Sequence, residues 1–198
     1  MAISPNHLAG LSTGLKILET ELKEQVLSDG GHFELSPMYH CIFLEDVLDL
    51  VNLLQATNHN KAKKPLLNLK EALPKMFRWL QYMCHPDEKI SFFNDASFNV
   101  AKSPAELRAY AKELGLRVTP KSIAQNMHLV HLNASGYINL SEPEASLLLD
   151  VAAVGPSYLP GHGHADSLSF EMSIYGTRVF VNSGVSEYKA GLVRDYER

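Results

Sequence analysis

Near Pro120 the spacing of apolar residues changes from helical to alternating, and this change restricts the fold more than any other feature. Upstream, Leu15, Leu18, Leu22 and Val26 recur at helical intervals, with Lys16, Glu19, Lys23 and Glu24 facing water. Ser28-Asp29-Gly30-Gly31 follows, with glycines where a helix C-cap would sit. Ser36-Pro37 opens a second helix, serine as N-cap and proline at the first helical position. Its inward row is Phe43, Val47, Leu50, Val51 and Leu54. A polar connection over 58–64 leads to a third helix, Leu66 to Met83, whose inward row is Leu69, Leu73, Phe77, Leu80 and Met83. Pro74 lies inside that helix as a kink point, and Trp79 reads as packing. Ser103-Pro104-Ala105-Glu106 is a capping box that starts a fourth helix ending near Gly115. Downstream, 127–132, 137–140, 145–152, 166–174 and 178–182 all read as strands between Gly, Pro and Ser turns. Helices followed by strands predict an α+β chain, divided into 1–118 and 119–198. A five-strand sheet that stops there has little to close its edge, so the chain is expected to be a piece of something longer.

Composition narrows the function classes. The 198 residues are 45% hydrophobic and 20% charged, enough for a packed core. A net charge of −4 without a basic tract argues against nucleic acid as a partner. No apolar stretch approaches the length of a transmembrane span, and the first residues show no signal-peptide pattern. Cys41 and Cys84 lie apart, without metal-site spacing.

The chemistry-bearing stretch is Pro160-Gly161-His162-Gly163-His164-Ala165-Asp166, leading into Ser167 to Ile174. Leu168, Phe170, Met172 and Ile174 alternate with Ser167, Ser169, Glu171 and Ser173, which predicts a strand with its apolar face buried. In the same register His162, His164 and Asp166 share one side, spaced roughly 6.5–7 Å apart. Two imidazoles and a carboxylate so placed can converge on a metal ion or an anionic substrate. The bland alternative is a polar loop whose histidines bond to nearby backbone.

Three segments together resemble the heparinase II/III-like polysaccharide lyases. The first is Asp29 to His40 with the helix beginning Leu44-Glu45-Asp46. The second is Pro160 to Glu171 continuing through Arg178 to Gly184, and the third is His85-Pro86 through Phe92-Phe93-Asn94-Asp95. The resemblance implies a partial α/α toroid followed by an antiparallel β-sandwich domain, truncated at both ends. It implies cleavage of a uronic-acid polysaccharide by β-elimination, hence an acidic polysaccharide as partner. By the same resemblance Tyr39 and His162 do the proton work. Asn6-His7 corresponds to a pair that supports the uronate carboxylate, although only the helix from Leu11 to Leu27 separates it from the tyrosine segment, a shorter interval than the family's. His164 matches a metal-associated histidine, with Asp166 beside it as a ligand or as a carboxylate that orients a histidine. A divalent metal such as zinc, in a structural role, is the cofactor implied. The family is often periplasmic or secreted.

These residue types suit that chemistry. Elimination removes a weakly acidic proton next to a charged carboxylate, so the site must neutralise that carboxylate, supply a base and supply an acid for the leaving oxygen. Tyr39 sits where Ser36-Pro37 starts a helix, and the positive helix end favours a phenolate there. His32 and His40, close by in sequence, read as structural or surface residues. Two other classes fit the residues: a carbohydrate-binding or glycan-assembly protein that keeps the fold without turnover, and a metal-dependent hydrolase using His162, His164 and Asp166.

Overall fold

The computed structural model describes residues 5–57, 59–118, 127–155, 158 and 163–197. Four helices come first: α1 (Pro5–Gln25), α2 (Pro37–Ala56), α3 (Lys63–Tyr82) and α4 (Pro104–Glu113). Five strands follow: β1 (His128–Leu132), β2 (Tyr137–Ser141), β3 (Ala145–Asp150), β4 (Phe170–Ile174) and β5 (Thr177–Phe180). A short helix, α5 (Leu192–Glu197), ends the described chain. The helix starts are those the caps dictate. Ser36 Oγ accepts the Tyr39 amide, and Ser103 and Glu106 form a reciprocal capping box. The third helix begins three residues earlier than its apolar row suggests, because a 3₁₀ turn over Asn60–Ala62 runs straight into it. It continues through Pro74.

α2 and α3 pack on each other, with Leu44, Leu48, Val51, Leu69, Met76 and Leu80 at or below 1% exposure. The turn after α1 is pressed onto α3. A Cβ at Gly30 would lie 2.2 Å from the Lys75 carbonyl oxygen, and one at Gly31 would lie 2.5 Å from the Trp79 indole nitrogen. Only glycine permits this approach, and Gly30 also has φ of 100°.

The five strands form one antiparallel meander in chain order. Registers such as Tyr137↔Asp150, Leu148↔Glu171 and Ser146↔Ser173 define the face that packs on the helical part. That face corrects the sequence reading of β4. Glu171 and Ser173 are buried at 0% and 1%, whereas Phe170 is 46% exposed and Leu168 lies outside the strand in a left-handed turn. The apolar residues Ile138, Leu149 and Phe170, paired across β2, β3 and β4, lie on the opposite face. Period two fixes that two faces differ but not which one meets the helices. Here the polar face turns inward because buried partners on the helical part satisfy it.

Those partners come from the α3 end and the link that follows. His85, just beyond α3, places Nε2 2.7 Å from Glu171 Oε2 and Nδ1 2.7 Å from Ser173 Oγ. Glu171 Oε1 accepts the Phe92 amide, and Arg178 on β5 lies 3.7 Å from Glu171 while chelating Asp87. Asn139 donates to the Tyr82 carbonyl at 2.8 Å. Trp79 donates its indole N–H to Ser135 Oγ at 2.8 Å, and Asp29 accepts from Ala134 N, Ser135 N and Ser135 Oγ. The junction between helices and sheet is therefore a polar seam of specific bonds around a small aromatic cluster of Trp79, Phe93 and Tyr137.

Candidate active site

The Asp29–Ser36 loop delivers Tyr39 to this junction. Leu35 adopts φ of 61°, and its carbonyl accepts the Tyr137 hydroxyl at 2.6 Å and the Asn94 amide at 3.1 Å. Ser36 then caps α2 and Tyr39, half-buried, occupies its first turn. Next to it stands Tyr188, whose hydroxyl lies 3.2 Å from Met38 Sδ and 3.3 Å from the Asp95 carbonyl oxygen. Burial pushes the Tyr188 phenol up to about 12, with Tyr39 and Asp95 adding to the rise and Arg194 opposing it. Tyr188 is therefore a neutral hydrogen-bonding group near Tyr39 at neutral pH.

The link at 90–96, whose role the sequence leaves unread, organises the centre. Asn94, left-handed at φ 57°, donates its backbone N–H to Asp166 Oδ2 at 2.7 Å and accepts the His164 backbone N–H at 3.2 Å through its side chain. Asp95, fully buried, lies 2.6 Å through Oδ1 from His164 Nε2 and accepts Arg194 through Oδ2 at 2.8 Å. Asp166 also accepts the Asn182 amide at 3.1 Å. Tyr39, His164 and Asp166 are thus brought to one region of the junction, by way of Asn94 and Asp95.

The remaining sequence-identified residues stand as follows. His162 lies outside the described residues. Asn6 and His7 fall in the first turn of α1, the end opposite the loop that leads to Tyr39. His32 and His40 are structural. His32 is buried, 3.3 Å from Gln25. His40 is fully buried on Trp79, with Nε2 3.1 Å from the Met76 carbonyl, and burial lowers it to about 3. Sequence reasoning assigned no role to Asn94, Asp95, Tyr188, Arg194, His85 or Glu171. The available signals were the family resemblance of His85-Pro86 through Asn94-Asp95 and of the segment ending at Glu171, together with the Asn-Asp pair that closes the mostly apolar link from Ile90.

The donor set bears directly on a metal. His164 Nε2 faces Asp95, the second Asp95 oxygen faces a guanidinium, and an Asp166 oxygen receives two N–H donors. The His164 ring is thus engaged by Asp95 and the Asp166 carboxylate by Asn182, while both residues also meet Asn94. Among the described residues no group of three or more His, Cys, Asp or Glu is arranged to hold a metal ion. No chemical step is routed through a metal ion. Among the same residues, no helix is long and apolar enough to cross a membrane.

Comparison with known proteins places this arrangement. A curated heparin-sulfate lyase of Bacteroides thetaiotaomicron is 25% identical over 209 aligned residues, which take in 90% of this chain and 29% of the relative. A heparin-sulfate lyase of Pedobacter heparinus is 27% identical over 188 residues, 89% of this chain and 28% of the relative. The chain therefore spans less than a third of these relatives' length. Among solved structures, a crystal structure of heparinase III superposes with a TM-score of 0.72 at 22% identity, covering 98% of this chain and 34% of that one. A heparan sulfate lyase HepC mutant from Pedobacter heparinus superposes with a TM-score of 0.69 at 22% identity, covering 94% and 31%. At that identity the likeness speaks for the fold, a partial helical toroid joined to an antiparallel β domain. Residues 9–116 match the pattern described as heparinase II/III N-terminus, and residues 124–198 match heparinase II/III-like, C-terminal. Matched in this order over most of its length, the chain belongs to the heparinase II/III family.

Proposed function

We propose that this chain carries part of the catalytic centre of a polysaccharide lyase that cleaves a uronate-containing glycosaminoglycan by β-elimination. The observation that carries the reading is the placement of Tyr39. It stands in the first turn of α2, at the helix–sheet junction, beside Tyr188 and the Asp95–His164 pair. The named relatives, both heparin-sulfate lyases, supply the substrate class.

In this reading the uronate lies across the junction with its reacting carbon toward Tyr39. The positive end of α2 favours the ionised phenol of Tyr39. That phenolate takes the proton next to the carboxylate, the freed electron pair is held by the carboxylate as an enolate, and it then forms a C=C bond to the adjacent carbon as the glycosidic C–O bond there breaks. The leaving oxygen receives a proton, from the same tyrosine or from His162. A carboxylate in its ordinary charged form must be neutralised for this to proceed. Tyr188 stays protonated and donates a hydrogen bond. Such a polymer is met outside the cytoplasm, so a periplasmic or secreted setting belongs to the same proposal.

The test is absorbance of unsaturated uronate ends, followed on heparan sulfate and on a uronate polymer without sulfate. Turnover that falls by about 10²-fold or more in both Tyr39→Phe and His162→Ala supports the reading, that being the scale of losing one positioned group. Tight glycan binding with no unsaturated product in the wild-type chain favours the binding-protein alternative. Product with unchanged rate in Tyr39→Phe removes the assignment.

A further inference from the structure

Asp95 is buried completely and meets an imidazole from one side of the site and a guanidinium from the other. His164 reaches it from the connection between β3 and β4, and Arg194 reaches it from α5. Arg194 is 14% exposed at its side chain, lies over the Tyr188 ring at 5.3 Å, and donates to the Glu187 carbonyl at 3.3 Å. An ionised carboxylate only accepts, so the His164 nitrogen that faces it carries the proton. A buried carboxylate needs a compensating charge, and here the guanidinium supplies it at 2.8 Å. The surroundings agree. The neighbouring carboxylate, Asp166, faces the Asn94 backbone N–H and the Asn182 amide, and neither is an anionic donor for a cation.

We propose that Asp95 is the positioning residue of this site, holding His164 as its Nε2–H tautomer. In turn, the Arg194 guanidinium holds Asp95, supplying the positive charge that a metal ion would supply at that place. The inference does not depend on turnover. It assigns the described His164–Asp95–Arg194 relay a metal-free state, in which a divalent cation and Arg194 compete for the same Asp95 oxygen.

Two measurements on the 198-residue chain test it. The first is nitrogen-15 NMR of the histidine rings at neutral pH, with His164 identified by its loss in His164→Gln. The expected signature is a protonated Nε2 and a bare Nδ1, and it collapses toward a tautomer mixture in Asp95→Ala. A protonated Nδ1 in the wild-type chain overturns the proposal. The second is zinc titration followed by calorimetry and by the thermal midpoint, which stays informative where Asp95→Ala fails to fold. The wild-type chain is expected to bind zinc weakly and to keep its midpoint after chelation. In Arg194→Gln the freed carboxylate oxygen should tighten zinc binding by about tenfold or more, roughly 1.4 kcal/mol. That gain should vanish in Arg194→Gln combined with His164→Gln. Stoichiometric zinc in the wild-type chain, a midpoint that drops on chelation, or an affinity unmoved by Arg194→Gln each overturns it.

Discussion

Asn94 and Leu35 face each other in matching left-handed conformations, φ 57° and 61°, and the Asn94 amide donates to the Leu35 carbonyl at 3.1 Å. Through this bond the link after α3 fixes the loop that presents Tyr39. The same Asn94 holds the backbone of His164 and accepts no substitute easily. Asparagine tolerates positive φ better than most residues, and three further bonds fix its amide and backbone N–H.

Replacing Asn94 with alanine should therefore destabilise the chain by about 2–4 kcal/mol, combining lost buried hydrogen bonds with backbone strain. Asn94→Gly should recover part of this, because glycine relieves the strain but not the missing bonds. Urea unfolding of the two variants measures the split. Equal losses would mean that the backbone conformation contributes nothing.

Glu171 and His85 form a pair with both side chains at 0% exposure, reinforced by Ser173, Phe92 and Arg178. Glu171→Ala leaves the His85 ring and the Phe92 amide without their acceptor, while Arg178 keeps Asp87. A loss of about 3–5 kcal/mol is expected for breaking one side of such a pair. The double variant His85→Leu with Glu171→Leu should be less destabilised than Glu171→Ala, since it leaves no buried imidazole without its partner. Chemical denaturation checks both.

Asp150 gives a pH dependence of known sign. Burial raises its carboxyl from 3.8 to about 7, with Asp166 adding to the rise and the Ala152 N–H opposing it. The folded state then binds more protons than the unfolded state between about pH 4 and pH 7, so the stability tied to Asp150 falls as pH rises through that window. Asp150→Asn keeps an acceptor for Ala152 and removes the cost of ionisation. It should gain roughly 1–2 kcal/mol at pH 8 and little at pH 4. Thermal midpoints at the two values decide it.

His40 works in the opposite direction. Burial lowers it from 6.5 to about 3, so the unfolded chain takes up a proton that the folded chain refuses. Stability is lost as pH falls from about 6.5 toward 3, by at most about 1.4 kcal/mol per pH unit for this one group. His40→Gln retains a donor to the Met76 carbonyl, which His40 Nε2 meets at 3.1 Å. It should flatten the acid limb of the stability profile measured by urea titration. An unchanged acid slope would mean that His40 is not the group that titrates.

Local rules set the helices. Ser36-Pro37 and the Ser103–Glu106 box each satisfy orphan amides within a few residues, so their helix starts were legible without any fold. The alternation at 168–174 located a strand for the same reason, since side chains two apart must share a face. The family motifs carried Tyr39 and the His162–His164 stretch. Only the tertiary structure decided which face of β4 turns inward, because that depends on His85 waiting 86 residues away for Glu171. It also decided what Asn94 and Asp95 do. Their partners, Leu35, Tyr137, His164 and Arg194, come from four separate segments. Periodicity reports burial along one element, whereas a buried polar residue is placed by whichever distant group satisfies it, and a single chain read in order does not reveal that pairing.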